Sequence, residues 1–283
     1  LDIDKLDPHT ATSFSTVRAL GLTYGSLVEV GPKLDIRSGL ASTWKFNADS
    51  TELRLNLRKG VKFHDGSEFD AEDVKASINR ILDTKTTAAA RANIATISSV
   101  TGSGRTVLIK LSVPNAPILA ALDGVNMSML SSDDIAANKI GKTVNGTGPF
   151  KFVSWEPGQS VKLEKNATYW KAPVKLDTVT FRIIPTEASI LAALNAGTIQ
   201  FSVLTSPTVA LQVGKNLNLY RTPGLGYVTL QLNARVAPLN KLDVRLAIQC
   251  AINRAEVVKT AASGEAKVIG PITSPAYASD PND

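Results

Sequence analysis

The sequence predicts a mixed α/β fold, on three observations. Alternating apolar residues mark strands at Leu53, Leu55 and Leu57 and again at Val107, Ile109, Leu111 and Val113. Apolar residues at helical spacing follow capping residues at Asp70 and Asp243. Glycine and proline punctuate the chain at short intervals between these segments. Periods of two and of 3.6 residues interleaved in this way belong to chains that pack helices on sheets.

The elements follow in order. Arg54, Asn56 and Arg58 fill the gaps between the three leucines, as in a half-buried antiparallel strand, and Trp44-Lys-Phe46 is placed to be its hairpin partner across Asn47–Ser50. Phe69-Asp-Ala-Glu-Asp-Val74 opens a helix, with Asp70 at the N-cap, Asp73 at N3, and Val74, Ile78, Ile81 and Leu82 on one face. The glycine-rich Thr101–Thr106 reads as a hairpin turn, and the strand after it stops at Pro114, which has no N–H for a ladder. Phe150–Trp155 and Val161–Lys165 form a second hairpin about Pro157-Gly158, with Tyr169 and Trp170 expected behind it.

Further on, Pro185-Thr-Glu187 starts a helix with Ile190, Leu191 and Leu194 inward and Gly197 at C′. Ile199, Phe201 and Val203 alternate as a strand, and Ser206-Pro207 starts a short helix. Tyr227 to Asn233 reads as another strand. Asp243 is expected to cap one long helix through Val244, Ala247, Ile248, Ala251 and Ile252, continuing by Val257 and Val258 to Gly264. The remainder, from Thr273, is polar and proline-broken, like a linker or loop.

Composition narrows the function classes. The chain has 283 residues, 43% hydrophobic and 20% charged, enough for one large or two modest domains. No apolar run reaches bilayer length. Leu1 follows neither a methionine nor a leader, so a removed signal segment or a start inside a longer protein is expected. The net charge of +6 is spread along the chain, without the basic stripe and interleaved aromatics of a nucleic-acid binder. Cys250, the only cysteine, excludes an internal disulfide and reads as a buried thiol among Ala247, Ile248, Ala251 and Ile252.

Little in the chain suggests catalysis. There are two histidines, His9 and His64. Asp65 adjoins His64, but neighbours on a turn rarely face each other. Thr101–Thr106 lacks the Gly-Lys-Ser/Thr ending of a phosphate loop, and no Gly-x-Ser-x-Gly elbow occurs. Glu72-Asp73 and Asp133-Asp134 sit at helix starts, where they offset the macrodipole. Asn145 and Asn166 open sequons too short to carry weight. No metal ligand set or cofactor motif emerges, so binding is favoured over catalysis and no enzyme activity is expected.

Four stretches, in order, carry a resemblance. They are Leu6-Asp-Pro-His9 with Leu22-Thr-Tyr-Gly-Ser-Leu-Val28; Leu40-Ala-Ser-Thr-Trp44 with Leu55–Gly66 and Phe69–Val74; Gly146-Thr-Gly-Pro-Phe150 with Asn166-Ala-Thr-Tyr-Trp170; and Leu232-Asn233 with Asp243–Ala247 and Ala251-Ile-Asn-Arg254. Together they resemble the solute-binding proteins of peptide, nickel and related ABC importers. The resemblance implies a periplasmic-binding-protein-like (type II) first lobe, a mixed sheet flanked by helices plus a small β-rich α+β subdomain, with the second lobe missing. Residues 1–28 would be a first pass through the main subdomain, 29–145 the small subdomain, 146–270 the return, and 271–283 a linker or the start of the second lobe.

It further implies a periplasmic or lipid-anchored monomeric receptor at the outer face of the cell membrane. Such a receptor passes a small solute, with peptide as the default class, to a membrane permease. A non-transport interaction or signalling protein built on the same lobe is the alternative. Sugar, nickel-chelate and opine binders share these motifs. Carried over to this chain, the ligand-binding positions are Thr12, Ser13 and Phe14, then Leu204 and Thr205, then Tyr227, Gln231 and Asn233. Their hydroxyls and amides suit peptide-like groups, and the aromatic rings supply apolar area.

Overall fold

A computed structural model describes residues 2–221 and 228–269. The chain forms two compact units, Leu1–Ile183 and Ile184–Asp283. In the first, α1 (Phe14–Leu20) leads to a two-stranded ribbon, β1 (Val28–Val30) with β2 (Ile36–Ser38). Next come β3 (Ala41–Phe46), β4 (Glu52–Leu57), α2 (Ala71–Leu82), β5 (Ile97–Ser103) and β6 (Thr106–Leu111). These four strands make an antiparallel sheet in the order β3-β4-β6-β5. Two short helices follow, α3 (Ile118–Ala121) and α4 (Ser132–Ala136). The unit closes on β7 (Phe150–Glu156), β8 (Ser160–Lys165) and β9 (Thr178–Arg182), an antiparallel sheet in that order.

The period-two pattern of β4 is what makes it the spine of its sheet. Leu53, Leu55 and Leu57 are buried and Arg54 and Asn56 are exposed. The buried leucines join Val107 and Ile109 of β6 and Val74, Ile78 and Ile81 of α2 in the largest core cluster. Each such side chain contributes about 1.5–3 kcal/mol when fully buried. Helix α2 starts where expected, because Asp70 and Asp73 form a reciprocal capping box: Asp70 accepts from Glu72 N–H, and Asp73 Oδ2 accepts from Asp70 N–H. The β7–β8 turn has Gly158 at φ +74°, and Gln159 N–H donates to Glu156 O, as a Pro-Gly turn requires.

Of the aromatic pair after this hairpin, Trp170 is placed differently from the expectation. Trp170 packs against the core of the four-stranded sheet, not behind its own hairpin. Its indole N–H donates to Thr147 O at 3.1 Å, and the Arg58 guanidinium stacks on the ring 4.8 Å from its centre. Of the two, the Arg58 contact ties the ring to the end of β4.

The second unit holds α5 (Glu187–Asn195), α6 (Pro207–Ala210), α7 (Leu242–Ala251) and α8 (Arg254–Ala261). Thr186 caps α5 through Ser189 N–H, and Gly197 takes φ +68° at its end. Several expectations are corrected here. Ile199–Val203 is not a strand, and neither is Val228–Asn233 within the second expected strand; Tyr227 lies outside the described residues. Alternation supplies a face but not a ladder partner, and among the described residues these stretches have none. Lys241, not Asp243, holds the N-cap of α7, with Asp243 in its first turn. The expected long helix is two, because the chain turns extended at Ile252 and Asn253, where the Asn253 side chain accepts from Glu256 N–H to cap α8. Cys250 is exposed rather than buried, since its stretch of α7 is uncovered within the unit. Among the described residues no helix is long and apolar enough to cross a membrane.

Candidate functional site

The segment before α1 is held unusually firmly for a loop. Arg80 of α2 grips Asp7 with two nitrogens, at 2.6 and 3.2 Å, and donates to His9 Nδ1 at 2.9 Å. With Nδ1 accepting, Nε2 carries the proton and donates to Ser128 O at 2.8 Å, so the buried ring is neutral. Burial pushes its pKa down to about 4. Asn126 Nδ2 donates to both Pro8 O and Ala11 O at 2.8 Å.

This clamp delivers Thr12, Ser13 and Phe14 to the start of α1. Thr12 is exposed, and Ser13 occupies the N-cap without a side-chain cap bond, its hydroxyl donating to Asp2 O instead. Phe14 is 62% exposed, with the Arg18 guanidinium 3.9 Å from the ring centre. Val17, one turn on and on the same face as Phe14, lines a cavity of about 320 Å³ with Ala89, Asn93, Ala121, Asn126 and Met127. The cavity is therefore small-walled and mixed in character, with Asn93, Asn126 and Asp123 as its polar residues, beside an exposed ring. Asn93, Asn126 and Ala89 were not among the sequence candidates. They lie in alanine-rich stretches of the chain that carry neither periodicity nor motif.

A second cavity in the same unit, about 310 Å³, is lined by Gly25, Ser26, Glu29, Thr147, Tyr169 and Lys171 among others. Glu29 and Lys171 pair across it at 2.6 Å. Thr147 Oγ1 is buried at its base with no hydrogen-bond partner among the described residues.

The remaining sequence candidates lie in the second unit. Thr205 donates through both its N–H and its hydroxyl to Glu187 Oε1, at 2.8 and 2.6 Å, and Ser206 N–H donates to Oε2 at 2.8 Å. Leu204 beside it is half-buried. Gln231 and Asn233 are exposed, and Asn233 Oδ1 accepts from Arg235 N–H at 3.1 Å in a local turn. Tyr227 is outside the described residues. Thus the structure sets Thr12, Ser13 and Phe14 side by side at the start of α1, next to but not in the lining of the cavity that Val17 reaches, and within the second unit leaves the Thr205 hydroxyl engaged by its own chain.

His64 is the other histidine, and its ring is equally occupied. Nε2 donates to Gly148 O at 3.1 Å, while Nδ1 accepts from Gly146 N–H at 3.4 Å. Neither imidazole is free to act as a base. Asn166, one of the sequon asparagines, is buried and donates to Gly148 O at 2.9 Å, so it serves packing.

Residues 35–283 match the family model for bacterial extracellular solute-binding proteins, family 5. Among curated relatives, the glutathione-binding protein GsiB of Escherichia coli K12 is 28% identical across 96% of this chain and 54% of its own length. The chain spans about half the length of the curated relatives it matches. Among solved structures, the periplasmic binding protein DppA of Helicobacter pylori, in complex with the peptide STSA, aligns with a TM-score of 0.83 at 30% identity, over 97% of this chain and 59% of that one. The oligopeptide-binding protein AppA of Bacillus subtilis, in complex with a nonapeptide, aligns with a TM-score of 0.82 at 26% identity, over 100% and 58%. The α/β, type II periplasmic-binding-protein-like fold expected from the sequence is the fold of these neighbours.

Proposed function

The chain belongs to the bacterial extracellular solute-binding proteins of family 5, and from that membership we propose that it is the solute receptor of an ABC importer. In this reading it works outside the cytoplasmic membrane as a monomer, captures a peptide or peptide-like solute, and presents it to a membrane permease. Residues 1–28 and 146–270 build a main subdomain around an inserted 29–145, and Thr12, Ser13, Phe14, Leu204, Thr205, Tyr227, Gln231 and Asn233 face the solute.

The observation that carries the reading is the Phe14 ring, exposed on the α1 face that also lines the cavity of Val17, Asn93 and Asn126. A large aromatic left in water beside a hollow that mixes small apolar residues with Asn93, Asn126 and Asp123 offers both apolar area and polar anchors, as a site for a peptide-like small molecule needs. Peptide is the favoured class because GsiB binds glutathione and DppA and AppA are seen with peptides. Binding without turnover is supported by the two histidines, whose ring nitrogens are all committed to internal hydrogen bonds.

Calorimetric titration of the full-length protein with reduced glutathione, the tetrapeptide Ser-Thr-Ser-Ala and a mixed nonapeptide tests this. Saturable binding of any of the three, without cleavage on mass spectrometry, supports a peptide receptor. Binding of nickel-histidine or a sugar in their place moves the solute class. Silence with all of them, and no thermal shift, overturns the receptor reading.

A further inference from the structure

We propose that Arg80 is a positioning residue: by holding Asp7 and His9 it sets the conformation of residues 10–14, and through them the affinity for solute. The proposal rests on the receptor reading above for its affinity half only. Arg80 sits on α2, away from the cavity lining, and touches none of the sequence-derived site positions. Its effect must pass through the segment it grips.

The geometry makes that segment a strut rather than a free loop. The Arg80–Asp7 pair is mostly buried, with side chains 18% and 14% exposed, and is a two-pronged fork that lysine cannot reproduce. Asp7 Oδ1 also accepts from His9 N–H at 3.0 Å, and Ala89 N–H donates to His9 O at 2.9 Å. One turn earlier on α2, Ser77 Oγ accepts from Leu130 N–H at 2.8 Å and donates to Leu130 O at 3.2 Å. The same helix therefore fixes the Asp7–Ala11 segment from one side and residues 128–130 from another. His9 joins the two through Ser128 O. The Asn126 amide completes the frame, gripping Pro8 O and Ala11 O while lining the cavity. Thr12 follows directly, so a shift of Ala11 is a shift of Phe14.

The charged groups facing His9 are Arg80 from α2 and Asp7 from its own segment; the third neighbour, Ser128, presents a backbone carbonyl. Arg80 opposes protonation of the ring and Asp7 favours it. Removing the guanidinium while leaving Asp7 thus raises the His9 midpoint from about 4; because burial is the larger cause of that low value, a loosened core would raise it too, and unchanged exchange in β4 and β6 tells the two apart.

The test uses the full-length protein with Arg80→Lys and Arg80→Gln. Three readouts are taken: amide exchange of residues 10–14, the His9 imidazole titration by NMR, and affinity for the peptides Ser-Thr-Ser-Ala and glutathione. The expected result is about tenfold faster exchange at 10–14 in both variants, matching loss of one charge-assisted hydrogen bond. Exchange in β4 and β6 stays unchanged, the His9 midpoint rises in Arg80→Gln, and peptide affinity falls about tenfold. If Arg80→Gln does not fold, Arg80→Lys, which keeps the charge and loses the fork, decides. Unchanged exchange at 10–14 overturns the proposal, as does faster exchange with undiminished affinity. A wild-type protein that binds neither peptide sinks the affinity half together with the peptide class, while exchange and titration still decide the clamp; the receptor reading itself falls only if nickel-histidine and a sugar fail to bind as well.

Discussion

His64 and Gly148 are separated by 84 positions in the chain, yet the imidazole Nε2 lies 3.1 Å from the Gly148 carbonyl oxygen. Lys151 Nζ reaches His64 O at 3.0 Å, and His64 N–H donates to Gly146 O at 2.9 Å. On its other side the same stretch pairs with the end of α1: Gly148 N–H donates to Thr23 O and Phe150 N–H to Leu22 O. Two of the sequence stretches that carry the family resemblance are thus two halves of one joint. The motif Phe63-His-Asp-Gly66, between β4 and α2, is fastened to the Gly146–Phe150 stretch, and its conspicuous histidine is a fastening.

Acid should undo that joint. Burial pushes both His64 and His9 down to about 4, against an ordinary value of 6.5. Between those values the unfolded chain binds protons that the folded chain refuses, so stability falls as pH drops from about 6.5 toward about 4, and the loss is complete below that. The cost for the fully buried His9 is on the order of 3 kcal/mol. Urea unfolding at pH 7, 5 and 4 checks this, with the midpoint falling across the window. His64→Gln, which keeps a donor toward Gly148, should remove part of the dependence. A midpoint flat from pH 7 to pH 4 would contradict the assignment of neutral, desolvated rings.

The stretch that receives His64 also has no room for a side chain at Gly146. A Cβ on Gly146 would come within 2.0 Å of Thr23 O, a backbone atom that cannot swing away. Gly146→Ala is therefore expected to cost about 3 kcal/mol or more, within the range of severe overpacking. Gly60 is the useful control. It needs a left-handed backbone at φ +76° but has nothing within 4 Å, so Gly60→Ala costs only the conformational strain, about 1–2 kcal/mol. Thermal unfolding of the two variants should rank them in that order, and equal shifts would refute the steric account.

How much of this was legible in the sequence depends on whether the signal was local. Leu53, Leu55 and Leu57 declare their own buried face, and Asp70 with Asp73 declares the start of α2, because period and capping act within a few residues. The strand expected at Ile199–Val203, and the described part (Val228–Asn233) of the one expected over Tyr227–Asn233, are not formed because a ladder needs a partner that alternation does not name. The break between α7 and α8 was missed since Ile252 continues the apolar stripe while Asn253 offers a competing cap. At the candidate site, Phe14 could be carried over from a family resemblance, whereas Asn93 and Asn126 are brought to it only by tertiary packing. The Arg80–Asp7 fork spans 73 residues, and no window of sequence contains it.

The β4 pattern gives a direct measure of that local signal. Leu55 is fully buried in the main core, so Leu55→Ala removes its contacts and leaves a cavity, at about 2–5 kcal/mol. Arg54, its exposed neighbour, should tolerate alanine within about 0.5 kcal/mol. Chemical denaturation of both would show whether the alternation carries energy; a similar loss in each would mean that β4 is not packed on one face.

Phe14 offers the sharpest separation of solute binding from folding. Its ring is 62% exposed, so Phe14→Ala leaves the core intact and should shift stability by no more than about 0.5 kcal/mol. If the ring covers solute over the cavity that begins at Val17, the same substitution removes a large apolar contact made only in the complex. Affinity for a bound peptide should then fall about tenfold or more, in line with the weight aromatic anchors carry at binding surfaces. Asn93→Ala, at the cavity wall, should weaken binding through loss of an amide contact. Calorimetric titration of the full-length variants reads both effects, with the unfolding temperature taken in parallel. Weakened binding with an unchanged unfolding temperature assigns Phe14 to the solute; a fallen unfolding temperature with intact affinity would make the ring part of the packing around Arg18.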